Sequence, residues 1–339
     1  MKKLLNNLYI TTDGSYLHKE RETLVVKQNH SKVFQTPLHA LNNVFCFGQV
    51  MVSPGLMAAC GQNDIGISFF TGFGKFQSRL QGPQSGNVLL RRTQYRLADD
   101  APEKLAKLFV AAKIANARQN LLRHQRNHGT NETLDSAAKQ LAGALRRLKN
   151  QTNLDQIRGI EGDSAARYFS VFNMLIVKEC RSDFEFSGRN RRPPLDPVNT
   201  LLSFAYSLLT HEIASALQGV GIDPYVGYLH CDRPGRVSLA LDMLEEFRSW
   251  WCDRFVLTLI NRRQVKSSDF NSDASGAVRM TDKARKTFLT DWQMRKQDQL
   301  QHPYTDEKLA IGLVPHIQAT LLAKYLRGDL ELYPPFQSR

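Results

Sequence analysis

The sequence is short of the features that place a chain quickly in several large classes. Its longest apolar stretches, such as Phe255-Val-Leu-Thr-Leu-Ile260, fall far short of the about 20 residues a membrane helix needs. No membrane partner is therefore expected, and the protein is read as cytoplasmic. The basic opening Met1-Lys-Lys-Leu-Leu runs into two asparagines that break any signal-peptide apolar region. The five cysteines (Cys46, Cys60, Cys180, Cys231, Cys252) are odd in number, scattered, and form no CxxC pair. That argues against a disulfide framework and against a zinc knuckle, and small buried thiols are the simpler reading. There is no internal repeat and no low-complexity segment. Gly72-Phe-Gly-Lys75 lacks the GxxxxGK[ST] spacing, so it implies no nucleotide site and reads as a β-turn with a basic tip.

Acidic charge is also scarce. Thirty-two Asp+Glu stand against 45 Lys+Arg in 339 residues, for a formal net charge of +13 and a pI near 9.6. A surplus of that size favours polyanionic partners, chiefly nucleic acid. With 42% hydrophobic and 23% charged residues, a sizeable core is possible and wholesale disorder is not expected. The length suits one large domain or two ordinary ones.

Alternation and turn residues predict β structure over the first 95 or so residues. Leu8-Tyr-Ile-Thr11 and Tyr16-Leu-His-Lys19 flank Asp13-Gly14, a hairpin signal because Gly tolerates positive φ. Thr23-Leu-Val-Val26, Val44-Phe-Cys-Phe47 and Ile65-Gly-Ile-Ser-Phe-Phe70 are further strands, punctuated by Pro37, Pro54, Gly55, Gly72 and Gly74. Residues 82–102, with Gly82-Pro83, Gly86 and Asp99-Asp-Ala-Pro-Glu103, read as a turn-rich link with a helix starting after Asp100. Beyond it the period becomes helical: Leu105, Leu108, Phe109 and Ala112 share one face, as do Leu141, Leu145 and Leu148. Later helices are predicted at 161–180, 195–218, 238–262 and 307–327. The fold class expected is α+β, with a small sandwich-like β domain at 1–95 followed by a larger all-α domain at 96–339.

Three places could carry chemistry. Glu161 lies at the expected start of a helix, where a stabilising first-turn acid is the simpler reading. His230 ends Gly227-Tyr-Leu-His230; an imidazole there can ligate a metal or shuttle a proton, although a hydrogen-bonded structural histidine is commoner. Asp242, Glu245 and Glu246 follow within one helical segment. Asp242 stands one turn from both glutamates, with Leu239, Met243 and Phe247 free to face the core. A solvated acidic face would explain them, but carboxylates clustered against a basic background also suit a Mg²⁺ or Mn²⁺ site for phosphodiester chemistry.

Taken together, these segments resemble the CRISPR-associated integrase-endonuclease family of spacer adaptation, in its I-C-like branch. The matching residues are Lys113-Ile-x-Asn116-x-Arg118, Gly159-Ile-Glu161-Gly162 with Tyr168-Phe169, Arg191-Arg-Pro-Pro194, and Asp196-Pro-Val-Asn199 with Tyr206. They continue through Gly227-Tyr-Leu-His230, Asp242-x-x-Glu245-Glu-Phe-Arg248, His302-Pro303, His316-Ile-Gln318 and Tyr325-Leu-Arg-Gly328 to Tyr333-Pro-Pro-Phe336. Each piece is weak alone; their order and spacing cover nearly the whole chain.

The resemblance implies a dimerising β domain and a catalytic helical domain. It implies a Mg²⁺ or Mn²⁺ site made by Glu161, His230 and Glu245, the last where many members have Asp, with Asp242 as a further candidate ligand. The implied reaction is attack by a DNA 3′-hydroxyl on the leader–repeat phosphodiester, which inserts a new spacer. Implied partners are double-stranded DNA (protospacer and leader–repeat), a second copy of the chain, and the small second CRISPR-associated protein bridging two dimers. An iron–sulfur CRISPR-associated exonuclease is a further candidate partner. Candidate phosphate contacts are Arg189, Arg191, Arg192, Arg248, Arg262, Arg263 and Lys266. After Phe247-Arg248 the family's usual proline is replaced by Ser249-Trp250-Trp251. Two other readings compete with the integrase: a catalytically idle DNA-binding scaffold, and an RNA-processing metal nuclease. The acidic cluster weighs against the scaffold, which gains nothing from carboxylates facing phosphate.

Overall fold

The computed structural model describes residues 6–72, 76–80, 82, 88–190 and 193–338. Residues 73–75 of the expected basic turn, Pro83 and Gly86 of the expected link, and Arg191 and Arg192 lie outside the described residues. Two compact units are formed: residues 1–86 with 289–298 and 310–313, and residues 87–288 with 299–309 and 314–339.

The first unit opens with β1 (Asn6–Ile10), β2 (Ser15–Glu20), β3 (Thr23–Gln28), β4 (Ser31–Pro37), β5 (Leu41–Phe47) and β6 (Val50–Val52). The helix α1 (Pro54–Gln62), β7 (Gly66–Phe70) and β8 (Phe76–Leu80) follow. Two four-stranded sheets result, in the orders β1-β5-β7-β8 and β4-β3-β2-β6. Parallel pairing of β5 with β7 requires a crossover, which β6 and α1 supply. Ser53 caps α1 by accepting the Leu56 N–H, and Pro54 suits the first turn. Ile10, Leu17, Leu24, Val26, Val44, Leu56 and Ile67 bury their side chains in one core drawn from both sheets and α1.

The hairpin expected at Asp13-Gly14 does not form, because β1 and β2 belong to different sheets. Gly14 does take a positive φ of 74°. Its N–H reaches Gln49 O at 2.8 Å, and Asp13 Oδ1 accepts from Gln49 N–H at 2.7 Å. The pair thus turns the chain between sheets. A left-handed turn signal specifies a local change of direction, not the strand that pairs. The two-residue turn with positive φ at both positions is Asn29-His30, joining β3 to β4.

The second unit is mostly helical. It contains α2 (Val88–Asp100), α3 (Glu103–His128), α4 (Glu132–Lys149), α5 (Leu154–Ser170) and α6 (Pro197–Gly219). Next, α7 (Ser238–Phe247) passes through a π-helical turn at Arg248–Asp253 into α8 (Arg254–Asn261). The short ladder of β9 (Phe270–Ser272) and β10 (Val278–Met280), then α9 (Asp282–Gln297), whose residues from Leu289 on belong to the first unit, the ladder of β11 (Gln299–Gln301) and β12 (Lys308–Ala310), of which Ala310 belongs to the first unit, and α10 (Val314–Arg327) follow. The α+β division expected from the sequence is found, with two short ladders added to the helical part. Much of the expected link is helix α2. The helix expected at 161–180 spans Leu154–Ser170 instead, started by Asn153, whose side chain accepts the Asp155 and Gln156 N–H groups.

Candidate metal and DNA-processing site

Because α5 begins at Leu154, Glu161 stands two turns inside it and gains little from the helix dipole, which fades beyond the first turn. A first-turn stabilising role is thereby removed. The carboxylate instead meets Lys113, carried on the buried face of α3 with Phe109, Asn116 and Asn120. The ammonium of Lys113 contacts Glu161 Oε1 and lies 2.7 Å from Glu245 Oε2 on α7. Two carboxylates from two helices therefore converge on one cation from a third.

The acidic segment of α7 is not a solvated face. Asp242, Glu245 and Glu246 are all buried, and each has its own partners, as buried charge requires. Glu245 Oε1 pairs with Arg248 at 3.0 Å, one turn on. Burial alone would raise Glu245, but Arg248, Lys113 and His230 outweigh it and hold the group at about 2.

Asp242 organises His230. Its Oδ2 accepts the N–H groups of Tyr228 (2.6 Å) and Leu229 (2.9 Å). Its Oδ1 accepts the His230 N–H at 3.0 Å and meets the imidazole Nδ1 at 2.6 Å. A carboxylate only accepts, so Nδ1 carries the proton and Nε2 is the ring nitrogen left for another partner, the arrangement found behind metal-bound histidines. Arg158 of α5 steadies the same loop by donating to Leu229 O at 2.9 Å. Gly227 must be glycine here: a Cβ would stand 2.7 Å from Ser238 Cβ and 3.0 Å from Asp242 Oδ2. With four hydrogen bonds already made, Asp242 is placed as the group that orients His230.

The donor set of two carboxylates and an imidazole nitrogen suits a hard divalent ion. Among the described residues, no three His, Cys, Asp or Glu side chains stand close enough to enclose a metal ion; the ammonium of Lys113 lies between the carboxylates.

Behind the site the polar chain continues inward. The Arg248 guanidinium lies 4.6 Å from the centre of the Tyr206 ring, and Arg189 lies 5.2 Å from the same ring. Tyr206 Oη donates to Asp253 Oδ1 at 2.5 Å. Burial pushes Asp253 up to about 6, partly offset by Tyr206, Arg248, Tyr168 and Arg189. Arg189 also donates to Asn190 O, Asn199 Oδ1 and Ser203 Oγ. Arg189 and Arg248, expected at the DNA surface, are thus committed to interior partners. Arg262, Arg263 and Lys266 are exposed at and beyond the end of α8.

Glu246 faces the other way and anchors the C-terminal segment. It accepts from Tyr333 Oη (2.6 Å), Phe336 N–H (2.7 Å) and Gln318 Nε2 (2.9 Å). Asn116 completes the clasp, donating to Glu246 O and Phe336 O and accepting from Ser338 N–H. Burial raises Glu246 from 4.5 to about 7 despite these donors. Between those values the folded protein holds a proton the unfolded chain has released, so this group's contribution to stability falls as pH rises through the window. Glu246→Gln resembles the protonated form. Its urea midpoint is expected to match wild type near pH 5 and exceed it near pH 8; a parallel pH dependence in both proteins would contradict this.

The family model described as CRISPR associated protein Cas1 matches residues 8–294. A relative from Chlorobaculum tepidum named CRISPR-associated endonuclease Cas1 1 is 52% identical over 341 residues, covering 99% of both chains. A CRISPR-associated exonuclease Cas4/endonuclease Cas1 fusion from Geobacter sulfurreducens is 35% identical over 98% of this chain and 60% of its own. Among solved structures, a casposase bound to integration product aligns with a TM-score of 0.83 at 22% identity, over 99% of this chain and 94% of that one. A chain of a Cas6-RT-Cas1–Cas2 complex aligns at 0.79 with 23% identity, over 98% of this chain and 36% of that one. At such identities the two structures speak for the fold.

Proposed function

Because the chain belongs to the Cas1 family of CRISPR-associated endonucleases, we propose that it inserts new spacers into a CRISPR array by 3′-hydroxyl attack on the leader–repeat phosphodiester. With water as the attacking group, the same site cuts DNA. The observation that carries this reading is the meeting of Glu161 and Glu245 on the Lys113 ammonium, with a histidine whose Nδ1 is held by Asp242. Glu161, Glu245 and His230 Nε2 would hold Mg²⁺ or Mn²⁺, which when bound stabilises charge building on the phosphate oxygens. Asp242 fixes the histidine's orientation, and Arg248 keeps Glu245 ionised at working pH.

The helical unit is the catalytic domain in this reading, and the β unit dimerises. Val33, Phe34 and Met51 on edge strands β4 and β6 support that second role, being large apolar side chains left exposed. The alignment with a chain of a Cas1–Cas2 complex supports Cas2 as the bridging partner, and the Cas4/Cas1 fusion supports an exonuclease partner. Duplex DNA would meet Arg262, Arg263 and Lys266. The protein would work in the cytoplasm; among the described residues no helix is long and apolar enough to cross a membrane.

A strand-joining assay tests this directly. A short duplex with free 3′-hydroxyls is mixed with supercoiled plasmid carrying a repeat, in Mn²⁺ or in EDTA, with and without Cas2. Joined product only with the metal is expected. Salt-sensitive DNA binding without product, whatever metal is supplied, would select the idle scaffold.

A further inference from the structure

Lys113 has no evident place in a metal site, because its ammonium lies where the two carboxylates would meet the ion. It is only 8% exposed, contacts Glu161, and lies 2.7 Å from Glu245. With Arg248 also on Glu245, two positive charges already balance the two carboxylates. A divalent ion between the same oxygens would meet the ammonium at close range, where like charges repel strongly in a buried setting.

We propose that Lys113 is a built-in counter-cation of the site: it holds Glu161 and Glu245 together in the metal-free protein, and is displaced from them when the divalent ion binds. The inference rests on the metal-site reading above. It makes ion binding a competition, so apparent affinity is set partly by the lysine. It also explains how two carboxylates from separate helices stay close together before the ion arrives.

The test is Mn²⁺ binding, followed by loss of the free-ion EPR signal, for wild type, Lys113→Met, Lys113→Gln and Glu161→Gln. The lysine variants are expected to bind about tenfold more tightly than wild type, the usual size of a coupling between sites. Their metal-free thermal midpoints should fall below wild type and recover most of the difference in saturating Mn²⁺. Lysine Cε NMR on wild type, with Mg²⁺ added, reads the movement without any variant: the Lys113 signal, identified by its broadening with trace Mn²⁺, is expected to shift. Folded lysine variants that bind no more tightly than wild type, or a signal unmoved at saturating Mg²⁺, would overturn the proposal. If Glu161→Gln loses Mn²⁺ in the same experiment, the metal reading survives that failure. Absence of Mn²⁺ binding by wild type would end the metal reading, and the proposal with it.

Discussion

Replacing His230 with Ala is expected to lower metal-dependent strand joining by about 10²- to 10³-fold while leaving the thermal midpoint close to wild type. The ring is at the rim of the site, its side chain 23% exposed. When it is removed, Asp242 keeps all three backbone donors, so no buried charge is left unpaired. Asp242→Asn should behave differently. An amide has one acceptor oxygen where the cradle needs two, and its NH₂ would face N–H groups. A stability loss of about 2–3 kcal/mol is expected from the unsatisfied donors. Joining should fall by about 10- to 100-fold, because His230 loses its orienting partner. Urea denaturation and joining rates measured on the two variants separate the roles. A His230→Ala protein that joins DNA at the wild-type rate would remove the histidine from the site. An Asp242→Asn protein of wild-type stability would contradict the cradle.

The sequence was legible where a local pattern and its structural consequence coincide. The β-then-α division follows from periodicity, and the family resemblance follows from many short matches in fixed order. Helices α6 and α7–α8 fall close to their expected spans because Asp196-Pro197 and the apolar runs mark them. The misses have physical causes. Helix α9 is strongly polar, and its buried apolar positions Ala284, Phe288, Leu289 and Trp292 are too few among charged neighbours to stand out. Helix α2 was hidden by the Gly and Pro residues before it. The acids of α5 and α7 could be singled out in the sequence, but their burial could not, since nothing local distinguishes a solvated carboxylate from one met by Lys113 or by Tyr333, far away in the chain. Lys113 did leave a trace: a lysine four residues after Phe109 on an apolar helical face needs a buried partner. Arginines were the least legible. Their number indicates a polyanionic partner, but which of them face DNA depends on what else each one touches.

Arg248 makes that point testable. Replacement by Met is expected to cost about 3–5 kcal/mol of stability, the usual penalty for removing one partner of a buried ion pair. Glu245 would be left buried with Lys113 as its remaining ion-pair partner, and the Tyr206 ring would lose the guanidinium beside it. The pH profile should move as well. In wild type, the depressed Glu245 adds stability that is present above 4.5 and lost as pH falls toward about 2. Without Arg248 the lower edge of that window rises, so acid unfolding begins at higher pH. Intrinsic DNA affinity of the folded protein, measured at fixed salt, should stay the same. A surface phosphate contact predicts the reverse pattern: unchanged stability, weaker binding, and a salt dependence shallower by about 0.9 in log–log slope. Measuring denaturation and salt-dependent binding on Arg248→Met therefore decides whether this arginine serves DNA or serves the carboxylate that would hold the metal.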